Sequence, residues 1–108
     1  MASTSKILGK VKPGAATPTT LYTVPGATQA QAVIFVTNQG AGVSKIRVAL
    51  LLAAGVLADT DYIAFDIPLI TAGEGVTFAG IALNTGEKIS VESDTGDVSF
   101  VATGIEIT

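Results

Sequence analysis

The chain has 108 residues with no histidine, cysteine or tryptophan. Because side chains that titrate near neutral pH, bind transition metals or act as activated thiols are missing, most acid–base, nucleophilic and zinc-dependent reactions are excluded. The net charge is −3, and there is a single basic cluster, formed by Lys6, Lys10 and Lys12. This argues against a protein that binds the phosphates of nucleic acid.

The first twenty residues are predicted to form an N-terminal arm that includes a first strand. Residues 6–11 alternate like an amphipathic strand, and Pro13-Gly14 ends it. Residues 15–20 are small and polar with a proline at position 18, which is typical of an extended linker. The remaining residues, 21–108, are expected to form one domain.

Short apolar segments separated by glycine and small polar residues follow along the rest of the chain. Strands are predicted over residues 21–24, 31–37, 44–52, 61–69, 76–83, 88–93 and 98–107. Strands at this spacing, with turn residues between them, favour an antiparallel sandwich or barrel. We therefore predict an all-β fold, a single antiparallel β-sandwich of about eight short strands, jelly-roll or immunoglobulin-like, with an extended N-terminal arm.

The alternation of side chains predicts which residues face the core. In the fourth strand Lys45 and Arg47 are expected to face outward, with Leu50 facing inward. Residues 33–36 are apolar at every position, which indicates a strand covered on both faces. The four phenylalanines lie in different predicted strands, and we expect them to pack in the core.

Two acidic groups were considered as sites, and neither is convincing. Asp59, Asp61 and Asp66 lack the number and spacing of oxygen ligands that a calcium loop needs. Glu92, Asp94 and Asp97 could supply the paired carboxylates of a glycosidase, but the aspartates around Gly96 have the composition of a tight turn. We predict no catalytic residue, no metal site and no cofactor.

The low charge content points to a chain that associates. Charged residues make up 14% of the sequence, against about 25% in an average soluble domain. Part of the outer surface is therefore expected to be covered by a partner or by copies of the same chain. The longest near-apolar stretch, residues 48–58, is too short to span a bilayer, and no leader segment is expected.

Most of the sequence from Lys6 onward resembles small β-sandwich proteins encoded among the structural genes of tailed bacteriophages. The segments that carry this resemblance are 6–11, 20–25, 46–49, 57–59, 61–69, 91–95, 98–100 and 104–106. The resemblance implies a virion component made in the host cytoplasm, with the major capsid protein or other virion proteins as partners. It implies either a capsid cement or decoration protein or a small neck, tail or fibre module, and it carries over no catalytic residue.

Two non-enzymatic functions remain open at this point. The first is a decoration subunit, with a trimer as the favoured assembly, whose N-terminal segment reaches a neighbour by strand addition. The same segment is also compatible with a flexible terminus. The second is a receptor- or carbohydrate-binding module that uses the loops at residues 59–62 and 84–87. The residues predicted to contact a partner are Lys6, Ile7, Leu8, Lys10, Val11, Leu21, Tyr22 and Tyr62.

Overall fold

A computed structural model describes residues 2–70 and 72–108 and contains eight β-strands. The strands are β1 (Ser3–Val11), β2 (Thr19–Thr23), β3 (Gln29–Asn38), β4 (Ser44–Leu51), β5 (Tyr62–Leu69), β6 (Gly75–Leu83), β7 (Lys88–Ser93) and β8 (Val98–Ile107). A single 3₁₀ turn at Asp59–Asp61 precedes β5. The long connections and turns between strands contain the glycine, proline and small polar residues that the sequence places there.

The strands form two four-stranded sheets. The first sheet has the order β1-β8-β3-β6 and the second has the order β2-β7-β4-β5. Every pairing within the two sheets is antiparallel. The predicted all-β antiparallel fold with about eight strands is confirmed.

The core lies between the two sheets and receives side chains from both of them. Phe100 and Ile34 come from the first sheet, and Ile46 and Ile89 come from the second; all four are 0% exposed. These residues alternate with outward-facing neighbours along each strand, as the pleat of a sheet requires. In β7, for example, Ile89 and Val91 are buried while the residues beside them are partly exposed, as the alternation predicts.

The described part of the N-terminal segment does not project from the domain as the predicted arm would. Strand β1 pairs with β8 along its length, and Ala2 and Thr108 exchange backbone hydrogen bonds of 2.9 and 2.8 Å beyond it. Gly9 lies so close to β2 that a Cβ atom there would collide with the carbonyl oxygen of Leu21. The segment forms part of the sandwich because β8 provides hydrogen-bond partners for its backbone.

Two predictions about burial are wrong. Strand β3 is covered on one face only, since Phe35 on its outer face is 46% exposed. Phe65 in β5 is 54% exposed, so two of the four phenylalanines are outside the core. The residue pattern identified apolar side chains correctly, but an apolar side chain can point to either face of its sheet.

Candidate functional site

The outer face of the first sheet carries several apolar side chains, with polar side chains between them. The strand register aligns Val33 with Thr103 and Ile7, and Phe35 with Val101, so that these residues lie side by side across neighbouring strands. Ile7 is 55% exposed, and Val33 and Val101 are partly exposed. We call this surface the apolar face and define it by Ile7, Val33, Phe35, Val101 and Ile105.

A shallow depression crosses the apolar face beside Val33. It has a volume of about 400 Å³ and lies over strands β3, β6 and β8, where Gly80 and Gly104 form part of its lining. Gly80 adopts a φ of +77°, a left-handed conformation that favours glycine. A Cβ atom on Gly104 would collide with the carbonyl oxygen of Gln31. Glycine therefore allows the backbones of adjacent strands to come close beneath this depression.

Charge is nearly absent from the apolar face. Among the outward-facing strand residues of this sheet that the structure describes, Lys10 is the single charged side chain. The other charges of the sheet lie at its inner side, where Lys6 Nζ is 2.8 Å from a carboxylate oxygen of Glu106. The hydroxyl of the buried Tyr22 donates a hydrogen bond of 2.5 Å to the same carboxylate.

This inward-facing group couples the two sheets electrostatically. Hydrogen bonds from Lys6 and Tyr22 lower the pKa of the Glu106 carboxyl below its ordinary value, against the opposing effect of burial. Burial and the nearby carboxylate raise the pKa of the Tyr22 hydroxyl well above its ordinary value. Tyr22 therefore stays protonated and donates to Glu106, which ties β2 of the second sheet to β8 of the first.

The outer face of the second sheet is different, because its aromatic and charged side chains contact one another. Arg47 Nε donates a 2.7 Å hydrogen bond to Asp66, and the Arg47 guanidinium lies 4.0 Å from the centre of the Phe65 ring. The Tyr62 and Phe65 rings meet edge to face at 5.0 Å. We call this surface the charged face and define it by Arg47, Tyr62, Phe65, Asp66 and Glu92.

The predicted contact residues do not form one surface. Five of them lie along β1, where Ile7 and Lys10 point outward on the apolar face while Leu8 and Val11 pack against the core. Two others, Leu21 and Tyr22, are 6% and 7% exposed and belong to the core itself. The eighth, Tyr62, lies on the charged face of the other sheet.

The middle of the apolar face was not predicted from the sequence. Phe35, Val33 and Val101 were not predicted to contact a partner, although the apolar residues at every position of 33–36 were noted. That run was a usable signal, since two successive outward positions of β3, Val33 and Phe35, carry apolar side chains. In the described chain the core covers only the inner face of β3.

The acidic groups remain without a ligand-binding arrangement. Asp66 pairs with Arg47, which lowers the pKa of the Asp66 carboxyl, and Asp61 accepts a 2.9 Å hydrogen bond from the backbone of Ala58. Within residues 2–70 and 72–108, no group of three or more carboxylate, imidazole or thiol side chains is placed to hold a metal ion. Over the same residues, no helix has the length and apolar character needed to cross a bilayer.

We compared the sequence with models of known protein families and with curated protein sequences, and neither comparison found a match. The resemblance to phage structural proteins therefore remains a prediction from the residues.

Proposed function

We propose that this chain is a non-enzymatic structural subunit of a tailed-phage virion, made in the host cytoplasm, that decorates and stabilises the capsid through protein–protein contacts. The observation that carries the proposal is the apolar face, where Phe35 and Ile7 are 46% and 55% exposed. Apolar side chains gathered on one face of a domain mark a surface that a partner covers. Subunits that associate through such a surface hold neighbouring parts of a shell together.

We further infer that the sandwich is a jelly roll. The orders β1-β8-β3-β6 and β2-β7-β4-β5 support this form, because successive strands alternate between sheets through most of the chain. Double-sheet jelly rolls of eight strands occur in viral capsid and lectin domains. This likeness supports the proposal only by analogy, since one fold hosts many functions.

A second candidate is a neck, tail or fibre module that binds a receptor or a carbohydrate through its loops. The favouring observation is a loop between β4 and β5 in which Leu52 and Val56 are 71% and 87% exposed. In this loop Ala53 lies against Gly86, so that the turn at residues 84–87 belongs to the same end of the sandwich. An exposed apolar loop beside a polar turn is suited to contact a partner at that end.

The copy number of the chain in purified particles tests the proposal and separates the two candidates. Quantitative mass spectrometry against the major capsid protein provides the measurement. We expect a ratio comparable to that of the shell subunits, as a decoration protein requires. A few copies per particle would support the neck, tail or fibre module instead, and absence from the particle would overturn the virion role.

A further inference from the structure

We propose that the apolar face binds the apolar face of a second copy of this chain, forming a two-fold symmetric dimer. The inference extends the proposed assembly role by naming one surface and its occupant. It concerns the isolated protein and can therefore be tested without the particle.

The edges of the sheets are poorly suited to self-association, which leaves the faces. The register of β1 shifts between Ile7 and Gly9, and the pairing of β2 shifts between Thr20 and Tyr22. Strand β5 contains Pro68 and an Asp66 with a φ of +54°, and β6 contains Gly80 with a φ of +77°. Irregularities of this kind interrupt the straight row of backbone groups that edge-to-edge pairing needs.

The whole outer face of the first sheet, with its polar as well as its apolar side chains, is large enough for a dimer interface. Four strands spaced about 4.8 Å apart, each about 30 Å long, give a footprint of roughly 600 Å². Two such faces bury about 1,200 Å² in total, which is the lower end of the range for specific protein interfaces. The surface is therefore suited to a reversible dimer that forms at raised protein concentration.

Charge and shape are both compatible with self-association. The two-fold axis lies between the two faces, perpendicular to the strands and level with Val33. This axis sets Phe35 and its cross-strand neighbours over Gln31 and its cross-strand neighbours in the second copy. Phe35 then lies over the depression beside Gly80. Lys10 is in line with Phe35 across the strands, and Ser5 is in line with Gln31. Lys10 therefore lies opposite Ser5 of the second copy. No two like charges meet in this arrangement.

The charged face does not offer the same opportunity. The ring of Phe65 already contacts Arg47 and Tyr62, and Arg47 is paired with Asp66. Pairing this face with itself would remove several charges from water at a cost that their mutual attraction does not reliably repay. The two faces therefore provide an internal control for one another.

Sedimentation equilibrium of the purified chain, from about 1 μM to about 1 mM, tests the inference. We expect a monomer–dimer equilibrium for the wild type. Association should be roughly thirty-fold weaker for Phe35→Asp, since the substitution removes the ring from the depression and buries a charge twice in each dimer. Phe65→Asp is the matched control: it places the same charge on the other face, at a phenylalanine of similar exposure, and should leave association unchanged.

The folding of each variant is checked by far-UV circular dichroism. Phe35→Thr, which keeps a residue that favours strands, serves as the second variant and should also weaken association. A wild type that remains monomeric, a trimer, or equal losses in Phe35→Asp and Phe65→Asp would each overturn the inference. A chain that dimerises through Phe35 but is absent from particles would overturn only the virion role.

Discussion

The two outer faces of this sandwich come from strands with similar alternation, yet they differ in what their side chains contact. On the charged face, Phe65 lies beneath Arg47 and beside Tyr62, so its exposed ring has partners within the chain. On the apolar face, Phe35 and Ile7 are exposed without any ring or cation contact recorded among the described residues. The two faces therefore differ in whether an exposed phenylalanine ring contacts other side chains of the chain.

Each sheet also contains one ion pair, and the two pairs differ in the face on which they lie. In the first sheet, Lys6 and Glu106 lie at the inner side, and Glu106 also binds the buried Tyr22. In the second sheet, Arg47 and Asp66 lie on the outer face, and the Asp66 side chain is 44% exposed. Because Lys6 and Glu106 face inward, they do not add charge to the outer face of the first sheet.

The largest expected effect concerns the close approach of strands beneath the apolar face. Gly104→Val should destabilise the fold by about 3 kcal/mol, because the new side chain collides with the carbonyl oxygen of Gln31 and overpacks the site. Urea denaturation measures the change. Gly42→Ala is the control, since nothing lies within 4 Å of its new Cβ atom. Equal midpoints for the two variants would contradict the close approach of these strands.

The next largest loss of stability is expected when the inward-facing ion pair of Lys6 and Glu106 is removed. Glu106→Gln should cost about 1.5 kcal/mol near neutral pH, because charge-assisted hydrogen bonds from Lys6 and Tyr22 are weakened. Folding lowers the pKa of Glu106, so the stabilisation is present above the ordinary glutamate pKa of about 4.3 and is lost as the pH falls through the folded value.

Denaturation of the wild type and of Glu106→Gln across this acid range provides the measurement. The difference between the two proteins should shrink as the pH falls, since protonation removes the same charge from the wild type. A difference that stays constant from neutral to strongly acidic pH would show that the carboxylate charge is not the source of the stabilisation.

A smaller effect should separate the two exposed phenylalanines. Phe65→Ala should lower the free energy of unfolding by about 1 kcal/mol, since the edge-to-face contact with Tyr62 is lost. Phe35→Ala should have a smaller effect on the stability of the monomer, measured at a concentration where association is negligible. If Phe35→Ala were the more destabilising change, the apolar face would have a role within the monomer instead.

The smallest effect should come from the outward-facing ion pair. Asp66→Asn should change stability less than Glu106→Gln does, because exposed pairs gain little in water and are screened by salt. Thermal denaturation at low and high salt measures the change, and the small difference should disappear at high salt. A loss as large as that of Glu106→Gln, unaffected by salt, would contradict the view that this pair contributes weakly.

The amino-acid sequence by itself determined the class of the fold and the facing of several strands. Alternation and turn residues predicted about eight antiparallel strands, and they placed Ile89 and Val91 inward as the structure has them. Side-chain direction has a period of two along a strand, so it can be inferred from local sequence. The sequence also shows that no imidazole or thiol side chain is present.

The tertiary structure alone decided which strands are neighbours and which face is left uncovered. Tyr22 and Glu106 are 84 positions apart, and nothing local to either residue predicts that they meet. The incorporation of β1 beside β8 likewise depends on a partner at the other end of the chain. Alternation assigns a side chain to one of two faces but does not say what covers that face, so the apolar face becomes visible only when both sheets are assembled.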